Sequence, residues 1–165
     1  MPSDLVVTPT NGPAVLRTGA RIGIDLVRVD RIAESMRAFG DRFTRRIFAA
    51  GELSDSTLEG RLDAGRLALR FAAKEAAIKA FDLSEAGIGW SQIELTAWDG
   101  ASGRICLHGR AAQTAARLGA YEIAVTSSQE GGLACAIVVA LPCARERGPS
   151  AVVCNNKKPE VILHD

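Results

Sequence analysis

Histidine is almost absent: the chain has 165 residues and only two of them, His108 and His164. A Ser-His-Asp or Cys-His catalytic unit would have to use His108. That residue stands in "RICLHGR", where a strand ends and a surface imidazole is the ordinary occupant. The four cysteines, at 106, 135, 143 and 154, form no CxxC pair. Cys106 and Cys135 lie in apolar, strand-like runs, which reads as inert thiols rather than a metal centre or a disulfide framework. Aromatic residues make up 5% of the chain and none is interleaved in a basic strand, so base stacking has little to work with and a nucleic-acid partner is not expected. No apolar run is long enough to span a bilayer. The N-terminus "MPSDLVVTPTNGPAVL" has no basic n-region of a secretory signal. A cytoplasmic protein with no membrane partner is expected. Charge of one sign is lacking too: 20 basic residues oppose 19 acidic ones, so recognition has to come from local clustering.

What is present fits one domain with tails: 47% hydrophobic and 24% charged residues over this length. Residues 1–19 hold Pro, Thr, Asn and Gly without periodicity and read as a loose arm. Residues 143–165 read as a C-terminal tail, and 20–142 as the folded core. "RIGIDLVRV" alternates, with Ile22, Ile24 and Leu26 on one side and Gly23, Asp25 and Val27 on the other, as a first strand should. Val29, Ile32, Met36 and Phe39 share a helical face that ends at Gly40. Asp41 is placed to cap a short second helix through "DRFTRRIF", and "AAGELSDSTLEG" reads as turns. An alanine-rich helix is expected from about 62 to 81. Strand candidates follow at "SQIELTAW" and "RICLHG", joined by the turn "DGASG". "RAAQTAARLG" is an amphipathic helix, and "YEIAVTSS" and "LACAIVVAL" are strands joined by "QEGG". The order β-α-α-α-β-β-α-β-β, with hairpins dominating, predicts an α+β fold with a mostly antiparallel sheet and a long packed helix.

Two carboxylates are out of place in this pattern. In "RFAAKEAAIKAF" (70–81), Leu67, Phe71 and Ile78 form an apolar stripe, and Glu75 falls within it. Asp25 sits mid-strand among apolar residues. Burying an unpaired carboxylate is costly. If the long helix packs across the Asp25 face, the two meet despite lying fifty residues apart. They would then repel, and one pKa would rise unless a positive charge sits between them. A divalent cation resolves this. Two carboxylates with few other protein ligands suit Mg²⁺, which keeps waters and takes further ligands from a phosphate substrate. The plainer alternatives are Asp25 capping the next helix and Glu75 pairing with Lys79. Lys74 and Lys79 flank the glutamate. A lysine beside such a site is well placed for a phosphate oxygen, and a solvated Glu–Lys pair is the simpler reading of Lys74.

"GIDLVRVDRI" (23–32) and "RFAAKEAAIKAF" together resemble the two signature segments of the holo-acyl-carrier-protein synthase group of 4'-phosphopantetheinyl transferases. The "W-x-x-I-E" after the helix and the "ACAIVV" strand are similar as well, and the likeness spans about 20–142. It implies the 4'-phosphopantetheinyl transferase fold. It implies transfer of the phosphopantetheine arm of coenzyme A to a serine of an apo acyl carrier protein, with release of adenosine 3',5'-bisphosphate. Mg²⁺ is the implied cofactor, with Asp25 and Glu75 as metal ligands. Lys79 becomes a contact to the coenzyme's phosphates and, with Glu75, part of the catalytic set. Arg70 and Lys74, in the same motif, become further coenzyme contacts. The resemblance also implies a homotrimer with active sites between subunits. Glu75 or a metal-bound water could take the serine proton. The family's histidine near the last hairpin is missing from "VTSSQEGGLACA", where Ser127 and Ser128 are candidate substitutes as phosphate ligands.

Between positions 28 and 46 stand six arginines, at 28, 31, 37, 42, 45 and 46, against Asp30, Glu34 and Asp41, a local excess of +3. Arginine forks suit the carboxylates of an acidic carrier protein. Arg28 and Arg31, just after Asp25, are the expected docking pair, against a plain solvated helix face. The carrier can belong to fatty-acid or polyketide biosynthesis. The competing reading is a non-catalytic relative that still binds carrier proteins.

Overall fold

The computed structural model describes residues 19–84, 87–119 and 121–142. The arm expected over 1–19, apart from Gly19, and the tail at 143–165 lie outside the described residues. The elements are β1 (Arg21–Arg28), α1 (Val29–Phe39), α2 (Asp41–Ile47), α3 (Ala50–Asp55), β2 (Thr57–Leu58), β3 (Arg61–Leu62), α4 (Ala64–Phe81), a 3-10 turn (Trp90–Gln92), β4 (Ile93–Thr96), β5 (Ser102–Leu107), α5 (Gly109–Leu118), β6 (Tyr121–Glu130) and β7 (Leu133–Pro142). The main sheet has the order β1-β7-β6-β5-β4, and every pairing in it is antiparallel. The α+β expectation therefore holds. Among the described residues no helix is long and apolar enough to cross a membrane.

The last two strands form a hairpin because Gly131 and Gly132 both take positive φ, 56° and 77°, as a two-residue turn of the right twist requires. β7 then pairs with β1, so Ile24 lies opposite Ile137 and Asp25 opposite Ala136. Strand alternation sends Gly23, Asp25 and Val27 to one face, together with Ala134, Ala136, Val138 and Ala140. α4 packs on that face. Its cap is Asp63, whose Oδ1 accepts from the Arg66 amide at 2.7 Å. Ala72, Ala73, Ala76, Ala77 and Ala80 are fully buried, and such small side chains let strands and helices close on α4 from several directions. Gly23 makes the closest approach: a Cβ there would stand 1.9 Å from the Ala76 carbonyl oxygen. One core cluster joins α4 to the sheet and α5. A second joins Ile32, Ile47 and Phe48 to Leu67, Ala68 and Leu69.

Four details differ from the sequence reading. The stretch expected as turns contains α3 and the β2–β3 hairpin, because Glu52 accepts from the Ala49 amide at 2.8 Å and nucleates a short helix. Asp41 does not cap α2. It is the first helical residue, and its carboxylate binds Arg45 at 3.1 Å one turn on. Phe39, expected on the packed face of α1, is 62% exposed at the helix end. Cys106 is disulfide-bonded rather than a free thiol, whereas Cys135 is free; spacing alone does not reveal which cysteines a fold brings together.

Candidate active site

The close approach at Gly23 sets Asp25, two residues along β1, beside the edge of α4. Lys79 reaches across from α4. Its ammonium donates to Asp25 Oδ1 at 2.7 Å and to the Ile24 carbonyl at 3.1 Å. The Asp25 side chain is only 15% exposed. It does not cap α1, whose N-cap is Arg28 without a side-chain bond. Glu75, one turn before Lys79, is half-buried and makes no ion pair among the described residues. Burial raises its pKa above the ordinary glutamate value, the Asp25 charge adds to the rise, and Lys79 opposes it. The strand aspartate therefore adds its charge to the surroundings of the helix glutamate, while the Lys79 ammonium is bonded to Asp25 and only opposes the shift at Glu75 by its charge. A hard cation placed between them would relieve both the burial and the repulsion. Among the described residues no group of three or more His, Cys, Asp or Glu side chains is gathered for a metal. The donor set is two carboxylates, which suits a cation that keeps waters and takes the rest of its shell from a phosphate.

Arg70 and Ser127 belong to a second cluster. Arg70 is fully buried, with its guanidinium 4.5 Å from the centre of the Trp98 ring and 3.3 Å from Asp55. Its Nε and Nη1 have no hydrogen-bond partner. Trp98 Nε1 donates to Ser127 Oγ at 3.3 Å, and Ser127 donates to the Ala101 carbonyl at 3.3 Å. Ser128 is the next residue on the strand, so its side chain leaves on the opposite, exposed face. The two serines are strand residues paired with Ala136 and Cys135, not residues of the turn. Trp98 was missed by the sequence reading; its one signal was an aromatic side chain just before the "DGASG" turn.

Lys74 is not solvated. It is fully buried and ion-paired with the equally buried Glu52 at 2.7 Å, and it also donates to the Trp90 and Ile93 carbonyls. A buried lysine finds its acceptors inside the protein, so this ammonium points away from the Asp25–Glu75 edge. Burial lowers its pKa and the Glu52 charge opposes that. Glu52 is the second residue that the sequence reading missed. All six arginines from 28 to 46 are exposed. Arg28 is tied to Asp30 and Arg45 to Asp41, whereas Arg31 makes no ion pair among the described residues.

The family model described as the 4'-phosphopantetheinyl transferase superfamily matches residues 21–138. The chain is 38% identical over 118 residues to a holo-[acyl-carrier-protein] synthase of Koribacter versatilis, covering 71% of this chain and 94% of the relative. Its structure is similar to the ACPS–CoA complex of Chronobacterium ammoniagenes, with a TM-score of 0.64, 25% identity, and coverage of 76% of this chain and 98% of that one. It is also similar to the acyl carrier protein synthase of Mycobacterium tuberculosis, with a TM-score of 0.56, 29% identity, and coverage of 74% and 96%.

Proposed function

The chain belongs to the 4'-phosphopantetheinyl transferase superfamily, and from that premise we propose that it is a cytoplasmic, Mg²⁺-dependent holo-[acyl-carrier-protein] synthase. It moves the 4'-phosphopantetheine group of coenzyme A to a serine of an apo carrier protein and releases adenosine 3',5'-bisphosphate. The observation that supports this reading is the Lys79 ammonium on Asp25 Oδ1 across from β1, with Glu75 one helical turn before Lys79 and its carboxyl pushed up in part by the Asp25 charge. The names of its relatives, and the coenzyme A in one of the similar structures, agree with it.

Asp25 and Glu75 would hold the Mg²⁺, which when bound supplies positive charge to the pyrophosphate oxygens. Lys79 offers an ammonium to the same oxygens, where charge builds as the serine oxygen attacks phosphorus. Glu75, beside the place where the serine would attack, is the chain's own candidate to take the serine proton. Ser127 and Ser128, half-buried and exposed, are the candidates on this strand for the nucleotide end of the coenzyme, whereas Arg70, expected as a coenzyme contact, is fully buried against Trp98 and Asp55 and supports that cluster from inside. Arg31 and Arg28 face an acidic carrier. The outer face of β1 and β7 exposes Ile24, Leu26, Leu133, Ile137 and Leu141, an apolar area of the kind subunit contacts cover, which supports a homotrimer with active sites between subunits.

The test is incubation with coenzyme A, Mg²⁺ and an apo carrier protein, read by mass spectrometry of the intact carrier. The wild-type chain should add one phosphopantetheine, and Asp25→Ala and Glu75→Ala should add none while keeping the wild-type circular dichroism. Full transfer by both variants refutes the site. Carrier binding without transfer by the wild type points instead to the non-catalytic relative.

A further inference from the structure

Glu52 and Lys74 form a buried ion pair that the transfer chemistry does not use, and it is anchored more tightly than a chance pair. Both side chains are fully buried. One Glu52 oxygen accepts from the Ala49 amide at 2.8 Å as well as from Lys74. The other accepts from the Leu95 amide at 3.0 Å. Lys74 adds the carbonyls of Trp90 and Ile93. The pair thus ties one residue of α4 to α3, the 3-10 turn and β4 together. The residue two positions on, Ala76, has its carbonyl pressed against Gly23 of β1. Glu75 lies between these two anchors.

We propose that the Glu52–Lys74 pair is a positioning device that fixes the rotation of α4 about its own axis and so holds Glu75 opposite Asp25. The geometry gives the reason. Successive helical residues differ by about 100° and a side-chain tip stands about 5 Å from the axis, so a 20° turn of the helix moves the Glu75 carboxylate by about 2 Å. Around Glu75 the buried positions of α4 are Ala72, Ala73, Ala76 and Ala77, and methyl groups interlock less than larger side chains do. A buried charge pair resists such a turn strongly, since its partners exist at one rotation only and losing them leaves charges unpaired. Lys74 and Glu52 touch no reacting group and act through Glu75.

The inference rests on the reading of Asp25 and Glu75 as cation ligands, so the test reads cation binding directly. MnCl₂ is titrated calorimetrically into the wild type, Lys74→Met, Glu52→Gln, the Glu52→Gln/Lys74→Met double variant and Glu75→Gln, and thermal midpoints are measured alongside. Lys74→Met leaves a lone buried carboxylate and should melt earlier. The double variant removes both charges and keeps an amide acceptor, so it should recover much of the lost midpoint. If the pair positions Glu75, both variants still bind Mn²⁺ about tenfold more weakly than the wild type, the size usual for loss of an outer support. If the pair is structural only, the affinity returns with the midpoint, and that result overturns the proposal. Should Lys74→Met or the double variant fail to fold, Glu52→Gln, the mildest change, decides between the same two outcomes. Wild-type affinity unchanged in Glu75→Gln, or no Mn²⁺ binding at all, overturns instead the ligand reading beneath it.

Discussion

Replacing Gly23 with alanine should damage stability and transfer together, and the structure supplies the size of both effects. The added Cβ would lie 1.9 Å from the Ala76 carbonyl oxygen and 2.9 Å from the Ala80 nitrogen, where 3.0 Å is the closest approach that real Cβ atoms show. Strand and helix must therefore part by at least the 1.1 Å between 1.9 and 3.0 Å. Both obstructing atoms are backbone, so no side-chain rotation relieves the clash. Overpacking of this kind costs up to about 3 kcal/mol. Alanine in a strand interior offsets about 0.7 kcal/mol of that through its smaller unfolded-state entropy. The net loss is about 2 kcal/mol, or about 1 M in the urea midpoint at an m-value of about 2 kcal/mol/M. Gly23 lies two residues before Asp25, and its obstacle is one residue after Glu75. The same separation therefore opens the two carboxylates by about 1 Å, which lowers the transfer rate about a hundredfold. Gly89→Ala is the control, because its nearest neighbour is 4.0 Å away; it should stay within about 0.5 kcal/mol of the wild type. A Gly23→Ala protein with the midpoint and rate of the Gly89→Ala control refutes the close packing of α4 on β1.

Two further outcomes follow from the electrostatics. Glu75 has a raised pKa, so its contribution to stability is fully present below the ordinary value of 4.5 and is lost as pH rises through the raised one. With EDTA present, Glu75→Gln should therefore be more stable than the wild type at pH 7.5 and show no such advantage at pH 4, and equal urea-midpoint gaps at the two pH values would contradict the assigned burial. Arg31 has no ion-pair partner among the described residues, whereas Arg28 is held by Asp30. Arg31→Glu should slow association with an acidic carrier about tenfold at low salt and by much less at high salt, and Arg28→Glu should do less, measured by stopped-flow; equal effects at both salt concentrations would remove the steering role.

The strands and long helices were legible because their signals are periodic: alternation in 21–28 and 133–142, alanine-rich propensity in α4, paired glycines at the last turn. Asp25 and Glu75 stood out because each breaks an apolar pattern, and a broken pattern is visible without a fold. Glu52 and Trp98 were not legible. Their importance lies in partners more than twenty residues away, Lys74 and Arg70, and no local period marks such a pairing. Lys74 misled for a related reason. Next to a glutamate in a helix, a lysine has the same local appearance whether its ammonium meets water or a buried carboxylate. α3 was hidden because six residues are too few to show a helical period, and its stability comes from the Glu52 bonds rather than from propensity.

The site and its scaffold are under opposite demands. Around Glu75 the buried positions of α4 are alanines, Ala72, Ala73, Ala76 and Ala77, so that stretch is closely packed but has little rotational preference of its own. At its edge, Glu75 is kept partly from water near a second negative charge, an arrangement that lowers the stability of the chain when nothing is bound. Lys79 offsets part of this by occupying Asp25 Oδ1 and the Ile24 carbonyl. Under the proposed roles, a cation on Asp25 would free that same ammonium for an anion, and an anion drawing Lys79 away would leave Asp25 open to a cation. Cation and phosphate affinities would then rise by the same factor, whichever binds first, because the coupling is a property of the two occupied states and not of the order in which they form.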